Sequence, residues 1–223
     1  MIIEYSIRFQ SGDRLLFSVD LDKPTQADPA KPREWTALEF NQCPNCPLKK
    51  EDHPNCPAAL EVASTIETFQ AKLSHERVVV TVKSPERLYQ KEVDMQTALR
   101  SLIGLMMAKS GCPYTSQLKS LAYFHLPFAT NEETLFRTVS AYLLKQFFNH
   151  KSGKPADLDL KNLHKLYDDL MIVNENFLTR IRKASQKDAN LNALVDLHSI
   201  STIVNMSLDE QLESLKVYFP DMK

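Results

Sequence analysis

The sequence predicts an α+β protein with a strand-rich N-terminal region and an entirely helical C-terminal half. Segments rich in β-branched and aromatic residues, with period-two alternation, occur only within residues 1–94. From residue 95 onward, apolar residues recur every three or four positions. The 223 residues, of which 43% are hydrophobic, suffice for a substantial core. We therefore divide the chain into regions 1–94 and 95–223, and expect them to form one compact unit.

The chain begins with a predicted β-hairpin. Segments 2–9 and 14–21 read IIEYSIRF and RLLFSVDL, and they flank the turn sequence Gln10-Ser11-Gly12-Asp13. Segment 23–33 carries three prolines and no apolar periodicity, which indicates a loop. Residues 35–40, which include Trp35, are expected to form a short third strand before the cysteine-rich segment.

One helix and two further strands complete the N-terminal region. Pro57 suits the first turn of a helix, where its missing N–H group is not needed. The apolar face of that helix is predicted to comprise Val62, Ile66, Phe69 and Leu73. Residues 77–83 then predict a strand, paired with residues 87–93 across the turn at 84–86.

The C-terminal half begins with two predicted helices. The first carries an apolar stripe and is expected to end at Gly111 in a left-handed conformation. Thr130 and Glu133 have capping-box spacing and predict the start of the second, which Gly153 and Pro155 end. The stripe of the first helix consists of Leu99, Leu102, Ile103 and Met106.

Three more helices are predicted after residue 159. The first is long and amphipathic, because its apolar positions alternate steps of three and four. Shorter helices follow near residues 190–205 and 208–217, the latter opened by a capping box of Ser207 and Glu210. The apolar positions of the long helix are Leu163, Leu166, Leu170, Val173, Phe177 and Ile181.

Charge and hydropathy exclude several classes of protein. A formal net charge of -1 and a pI near 6.6 indicate no general attraction to nucleic acid. No segment approaches the length of a membrane span, and the N-terminus lacks the layout of a secretory signal. We therefore expect a cytoplasmic protein with no membrane partner.

The four cysteines share a local pattern. Cys43, Cys46, Cys56 and Cys112 each precede a proline. At an average proline frequency of about 5%, this has a chance probability on the order of one in a hundred thousand. A shared structural constraint explains the pattern better than coincidence.

A chain without an export signal lies where thiols stay reduced, which favours metal ligation over disulfides. The pair Cys43 and Cys46 can chelate one centre, Cys56 would add a ligand at the start of a helix, and Cys112 would bring the fourth from the helical half. We predict that these four residues bind one metal centre that joins the two regions. Four thiolates suit either zinc or a [4Fe-4S] cluster, and free structural thiols or redox-active cysteines are the remaining alternative. A slight preference for the cluster comes from the Cys-x-x-Cys-Pro-Leu loop, which resembles the cluster loops of some DNA-repair glycosylases.

Two histidines are candidates for contacts around this centre. His53 lies between the second and third cysteines and could hydrogen-bond a sulfur or replace a ligand. His125 lies in an apolar aromatic segment, where a buried histidine bonded to a backbone carbonyl is the commoner arrangement. Both are predicted as candidates for hydrogen bonds to the groups that bind the metal, and no catalytic residue is assigned.

The segments CPNCPL, HPNCPAAL, GCP and YFHLPFATNEETLFRTVSAYLL together resemble an uncharacterised family of bacterial proteins, a domain of unknown function. The resemblance covers most of the chain. It implies bacterial origin and a shared cysteine site, but no activity.

Three hypotheses on function remain open. The chain is a metal-centre protein, with a possible role in redox or metal-responsive regulation; or an iron–sulfur electron carrier or enzyme; or a structural zinc protein that binds an unknown protein partner. The four glycines allow no phosphate-binding loop, and no Gly-x-Ser-x-Gly elbow occurs. Whether the protein is an enzyme is left open.

Overall fold

The computed structural model describes residues 1–23, 33–206 and 208–222, without the side chains of residues 203–211 and 222. The predicted loop at 23–33 and the capping box of Ser207 and Glu210 therefore lie largely outside the described residues. The order of elements confirms the α+β class: in the described ranges there are four strands, all within the first 94 residues.

The strands are β1 (Ile2–Phe9), β2 (Arg14–Asp20), β3 (Arg77–Lys83) and β4 (Leu88–Asp94). They form one antiparallel sheet in the order β2-β1-β3-β4. Period-two alternation buries Ile3, Tyr5 and Ile7 of β1 together with Val80 and Val82 of β3. The predicted hairpin and the β3–β4 pair are both confirmed.

The helices are α1 (Pro57–Phe69), α2 (Met95–Lys109), α3 (Lys119–Tyr123), α4 (Asn131–Lys151), α5 (Lys161–Arg182), α6 (Ala189–Met206) and α7 (Leu208–Leu215). Helix α2 packs against α1 and α6, and α6 packs against α5. Thr130 and Glu133 form the predicted capping box at the start of α4.

The largest hydrophobic core draws on both predicted regions. It joins the buried face of the sheet to α1, α2, α5 and α6, and includes Cys112. A smaller cluster lies between α4, α5 and α7. Among the described residues, no helix combines the length and apolar character needed to cross a bilayer.

Three local predictions were wrong. Residues 35–40 do not form a strand: residues 34–36 form a single 3-10 turn, and only Ala37 makes an isolated bridge, to Asn55. Gly111 does not have a positive φ, since Ser110 already ends α2 in an extended conformation. Leu73 lies beyond the end of α1 and is exposed, because the helix stops at Phe69.

Candidate metal centre

The segment 43–56 is a loop closed at its base by backbone hydrogen bonds. The N–H group of Cys56 donates to the carbonyl of Thr36 at 2.8 Å, and that of Leu38 donates to the carbonyl of Pro54 at 2.9 Å. Within the loop, the N–H of Cys46 donates to the carbonyl of Cys43 at 2.9 Å, which forms a tight turn. This turn gives Cys43 and Cys46 the close spacing expected of a chelating pair.

Cys56 occupies the position immediately before α1, and Pro57 is the first residue of that helix, as predicted. Burial raises the pKa of the Cys56 thiol. The nearby charge of Arg180 and the backbone N–H groups of Ala59 and Ala58 act in the opposite direction, because each stabilises a thiolate.

Cys112 follows α2 by three residues and is buried. Its N–H group donates to Ser110 Oγ at 3.3 Å, and its carbonyl accepts from the N–H of Ser116 at 3.1 Å. Gly111 lies against Pro57: a Cβ added there would be 3.5 Å from the Cβ of Pro57. This approach of the α2 end to the α1 start brings Cys112 towards Cys56.

The four cysteines line one cavity of about 20 Å³, together with side chains of α5 that include Val173 and Phe177. Burial, with smaller contributions from the other three cysteines, raises the pKa of Cys43 to about 12, because burial and neighbouring thiolates both disfavour its charged form. The side chains of Cys43 and Cys46 are partly exposed, whereas that of Cys112 is buried. The three cysteines of the loop 43–56 and the distant Cys112 are thus brought to one place near the surface.

In the described part of the chain, no group of three or more His, Cys, Asp or Glu side chains is arranged, as it stands, to hold a metal ion. Neutral thiols have no electrostatic reason to point at one centre, and binding requires their deprotonation. The donor set fits a zinc ion or an iron–sulfur cluster in type and number, but its side chains would have to turn towards a common point.

Arg180 is the neighbour of this site that the sequence interpretation missed. Its side chain is 2% exposed and donates to four backbone carbonyls, those of Trp35, Ala37, Leu38 and Asn41, at 2.6, 2.6, 3.2 and 3.4 Å. Burial lowers the pKa of its guanidinium, an effect that the nearby cysteines oppose. The sequence does indicate that this side chain is buried, because residue 180 follows Phe177 by three positions and so lies on the apolar stripe of α5.

Two further contacts hold the loop against the helices. The side-chain amide of Asn45 donates to the carboxylate of Asp169 at 3.0 Å and to its carbonyl at 3.2 Å. The hydroxyl of Tyr114 donates to the carbonyl of Asn45 at 2.5 Å. The turn between Cys43 and Cys46 is therefore fixed to α5 and to the segment that follows Cys112.

The two candidate histidines lie elsewhere. His53 is exposed and does not line the cysteine cavity. His125 is hydrogen-bonded through Nε2 to the hydroxyl of Tyr5 at 2.5 Å and lines a different cavity. The bond to Tyr5 takes the place of the backbone partner expected from the sequence.

A family model described as "Domain of unknown function (DUF6901)" matches residues 3–220. No curated protein matches the chain significantly. No solved structure does so either.

Proposed function

Because this chain belongs to the DUF6901 family, a domain of unknown function, we propose its function from the site itself: it is a metal-centre protein in which Cys43, Cys46, Cys56 and Cys112 hold one zinc ion or one iron–sulfur cluster. The observation that carries this proposal is that the three cysteines of the loop 43–56 and the distant Cys112 line one cavity. When bound, such a centre supplies a cross-link between the segments and, if it contains iron, one-electron redox chemistry.

The surrounding charge supports a thiolate site. Four thiolates around a divalent ion or a cubane cluster leave a net negative charge, which a neighbouring cation stabilises. The guanidinium of Arg180 is such a cation, since its charge acts to lower the pKa values of both Cys43 and Cys56. Arg180 therefore orients the loop through its carbonyl contacts and balances charge at the same time.

The partial exposure of Cys43 and Cys46 supports a responsive role over a purely structural one. A buried four-cysteine zinc site exchanges little with solvent, whereas a site open on one side can lose or gain its metal or exchange electrons. We place the protein among metal- or redox-responsive proteins, with an electron carrier or enzyme as the alternative use of a cluster.

Two features bear differently on the identity of the metal. The Cys-x-x-Cys-Pro-Leu sequence, which resembles the cluster loops of some DNA-repair glycosylases, favours a [4Fe-4S] cluster. The cavity of about 20 Å³ is close to the volume that one water molecule requires, which favours a single zinc ion. The proposal covers both, because the same four thiolates would serve.

The test is the metal content of two variants, both compared with the unmodified chain after anaerobic purification and mild chelation. Cys112→Ser removes the ligand from the helical half, and we expect it to lose at least about tenfold in metal affinity. His53→Ala is the matched control within the loop, and should keep its metal because His53 is exposed. Unchanged metal content in Cys112→Ser would refute the four-cysteine site.

A second candidate function, protein interaction, is favoured by helix α4. Besides its buried face, this helix exposes Phe136, Leu143 and Phe147, with the small Ser140 between them. These four residues recur at helical spacing and form one stripe, in which three apolar side chains flank the small, polar Ser140. The first turn of α4 is acidic and its last turn is basic.

We propose that a second copy of the chain covers this stripe, with its α4 antiparallel to the first. This orientation places Phe136 of one copy against Phe147 of the other. It also places Glu132 of one copy near Lys151 of the other, so opposite charges meet at both ends. A single helix pair is a small interface, which predicts a weak dimer.

Light scattering after size exclusion tests this dimer. Phe147→Asp should give a monomer where the unmodified chain gives a concentration-dependent dimer. Leu16→Asp is the control, because Leu16 is 70% exposed on β2, away from α4. A monomeric unmodified chain at about 100 μM would refute the dimer.

A further inference from the structure

A second cavity lies between α2, α4, α5, α6 and the segment 118–129. Its volume is about 180 Å³. An engineered apolar protein cavity of about 150 Å³ binds benzene, so this space admits one aromatic ring or a short acyl chain. Its apolar lining includes Leu105, Leu121, Leu126, Phe128, Leu170 and Leu197.

Polar groups of two kinds face this apolar lining. The first is the pair Ser101 and His125, which line the cavity and are joined by the hydroxyl of Tyr5 behind them, 2.8 Å from Ser101 Oγ and 2.5 Å from His125 Nε2. Burial lowers the pKa of His125 to about 3, with a smaller contribution from the charge of Arg137, so the imidazole is neutral at pH 7.

The protonation pattern of this group follows from its partners. Burial raises the pKa of Tyr5, which therefore keeps its proton. If the Tyr5 hydroxyl donates to Nε2, the neutral imidazole carries its hydrogen on Nδ1. Among the described residues, no hydrogen-bond partner of Nδ1 is found. His125 thus has one N–H donor to offer a ligand.

The second polar group is the guanidinium of Arg137, which lines the same cavity. It donates to the carbonyls of Leu121 and Phe124 at 3.0 and 2.6 Å. Burial lowers the pKa of Arg137 and the charge of Glu133, one turn earlier in α4, opposes this, but the carboxylate of Glu133 accepts its hydrogen bond from the N–H of Thr130 at 2.8 Å. No ion pair joins Arg137 to a carboxylate in the described part of the chain.

A cation at an apolar cavity is unfavourable unless an anion accompanies it. The other arginine of the lining, Arg100, already faces the carboxylate of Asp196 at 3.9 Å. Arg137 is therefore the cation of this cavity that an incoming anion would meet, and its planar guanidinium suits a carboxylate.

We propose that this cavity is a binding site for a small carboxylate with an apolar body, either a single aromatic ring or a short acyl chain. The carboxylate lies on Arg137, with the His125 N–H as a second donor, and the apolar body occupies the leucine-lined space. The site is separate from the cysteine cavity, so the proposal holds whatever metal the cysteines bind.

Calorimetry with benzoate and hexanoate as probes tests this site, and benzyl alcohol serves as the uncharged control. A ligand of this size in a partly open cavity should bind with a Kd of ~10 μM to ~1 mM. We expect benzoate to bind at least about tenfold more tightly than benzyl alcohol, because only the carboxylate pairs with the guanidinium.

Two variants test separately the charge of Arg137 and the volume of the cavity. Arg137→Gln should bring the benzoate and benzyl alcohol affinities together, while Ala129→Leu, which fills part of the lining, should weaken both by about tenfold or more. If Arg137→Gln does not fold, the site is still tested by Ala129→Leu and by the comparison of benzoate with benzyl alcohol in the unmodified chain. The proposal is overturned if neither carboxylate binds at about 10 mM, if benzyl alcohol binds as well as benzoate, or if Ala129→Leu binds both unchanged.

Discussion

Arg180 provides residues 35–41 with the hydrogen bonds that a strand partner would otherwise supply. Its guanidinium satisfies four carbonyls of a segment that has no regular structure apart from one 3-10 turn and one bridge. Buried carbonyls need such partners, and an arginine offers five donors in a planar arrangement. The segment that leads into the cysteine loop therefore depends on a residue that follows Asn41 by 139 positions in the sequence.

Replacing this side chain should destabilise the fold. Arg180→Met keeps much of the packing volume but removes all four hydrogen bonds, and we expect a loss of about 3 kcal/mol or more in the free energy of unfolding. Urea denaturation measures this loss, with Arg182→Met as the control because Arg182 is exposed. Equal stability of the two variants would show that the carbonyls do not depend on Arg180.

His125 predicts a specific dependence of stability on pH. Its folded pKa of about 3 lies below the ordinary value of 6.5, so the unfolded chain binds a proton between these values that the folded chain does not. The contribution of neutral His125 is complete above pH 6.5 and is lost as the pH falls towards 3. Between pH 6.5 and about pH 5, this amounts to about 2 kcal/mol.

The measurement is the free energy of unfolding at these two pH values, compared with that of His125→Gln. Glutamine does not titrate, so the variant should lose about 2 kcal/mol less than the unmodified chain on acidification. His53→Ala serves as a control for an exposed histidine. An identical pH dependence in His125→Gln would contradict the neutral, buried imidazole.

At the scale of elements, a buried ion pair joins α1 to α2. Lys109 Nζ lies 2.8 Å from a carboxylate oxygen of Glu61, and both side chains are about 5% exposed. The same ammonium donates to the carbonyls of Asp20 and Lys23 at 3.0 and 2.7 Å. Because Cys112 follows Lys109 by three residues and Cys56 directly precedes α1, this pair fixes the two helix ends that carry those cysteines.

Breaking one side of the pair should cost more than replacing both. Lys109→Met leaves the Glu61 carboxylate buried without its ammonium partner, and we expect a loss of about 3–5 kcal/mol. Glu61→Leu combined with Lys109→Met should recover at least about 1 kcal/mol of that loss. Urea denaturation of both variants checks this, and a double variant less stable than Lys109→Met would contradict it.

The elements that sequence patterns predicted correctly are those with strong periodicity or capping. Strands β1 and β3 follow from alternating β-branched residues, and α4 from the capping box of Thr130 and Glu133. The failures are local. The segment 35–40 has strand-like composition but makes its hydrogen bonds to Arg180, a side-chain partner that no local pattern could reveal.

Helix α5 shows a similar limit. Leu160 takes a left-handed conformation before the helix, and the carboxylate of Asp157 accepts from the N–H groups of Lys161 and Asn162. The sequence interpretation placed the start after Asp159 from periodicity alone. An acid four residues before the first helical residue can cap the helix only because Leu160 is left-handed. Leucine rarely takes this conformation, so the sequence does not predict it.

At the scale of the whole molecule, the sequence predicted that the four cysteines share one site but not what surrounds them. The Cys-Pro pattern identified all four residues, and the structure places them around one cavity. Arg180 and the separate cavity around Arg137 and His125 depend on contacts between distant segments. Composition and spacing could not indicate them, because both features arise only when α4, α5 and α6 pack onto the rest.

The sheet and the helices share one hydrophobic core. The main core already combines both regions, so the sheet and the helices are held together without the proposed metal centre. What it would add is the ordering of the loop 43–56, which has few regular hydrogen bonds beyond those at its base. We therefore expect metal removal to loosen this loop without unfolding the chain.

The metal content of the full chain after anaerobic purification tests the central claim most directly. If the four cysteines bind one metal centre, we expect one centre per chain. This would be either about four irons with about four sulfides and broad visible absorption, or about one zinc without colour. A chain that contains neither metal, and still takes up neither after incubation with iron and sulfide or with zinc under reducing conditions, would contradict a four-cysteine metal centre.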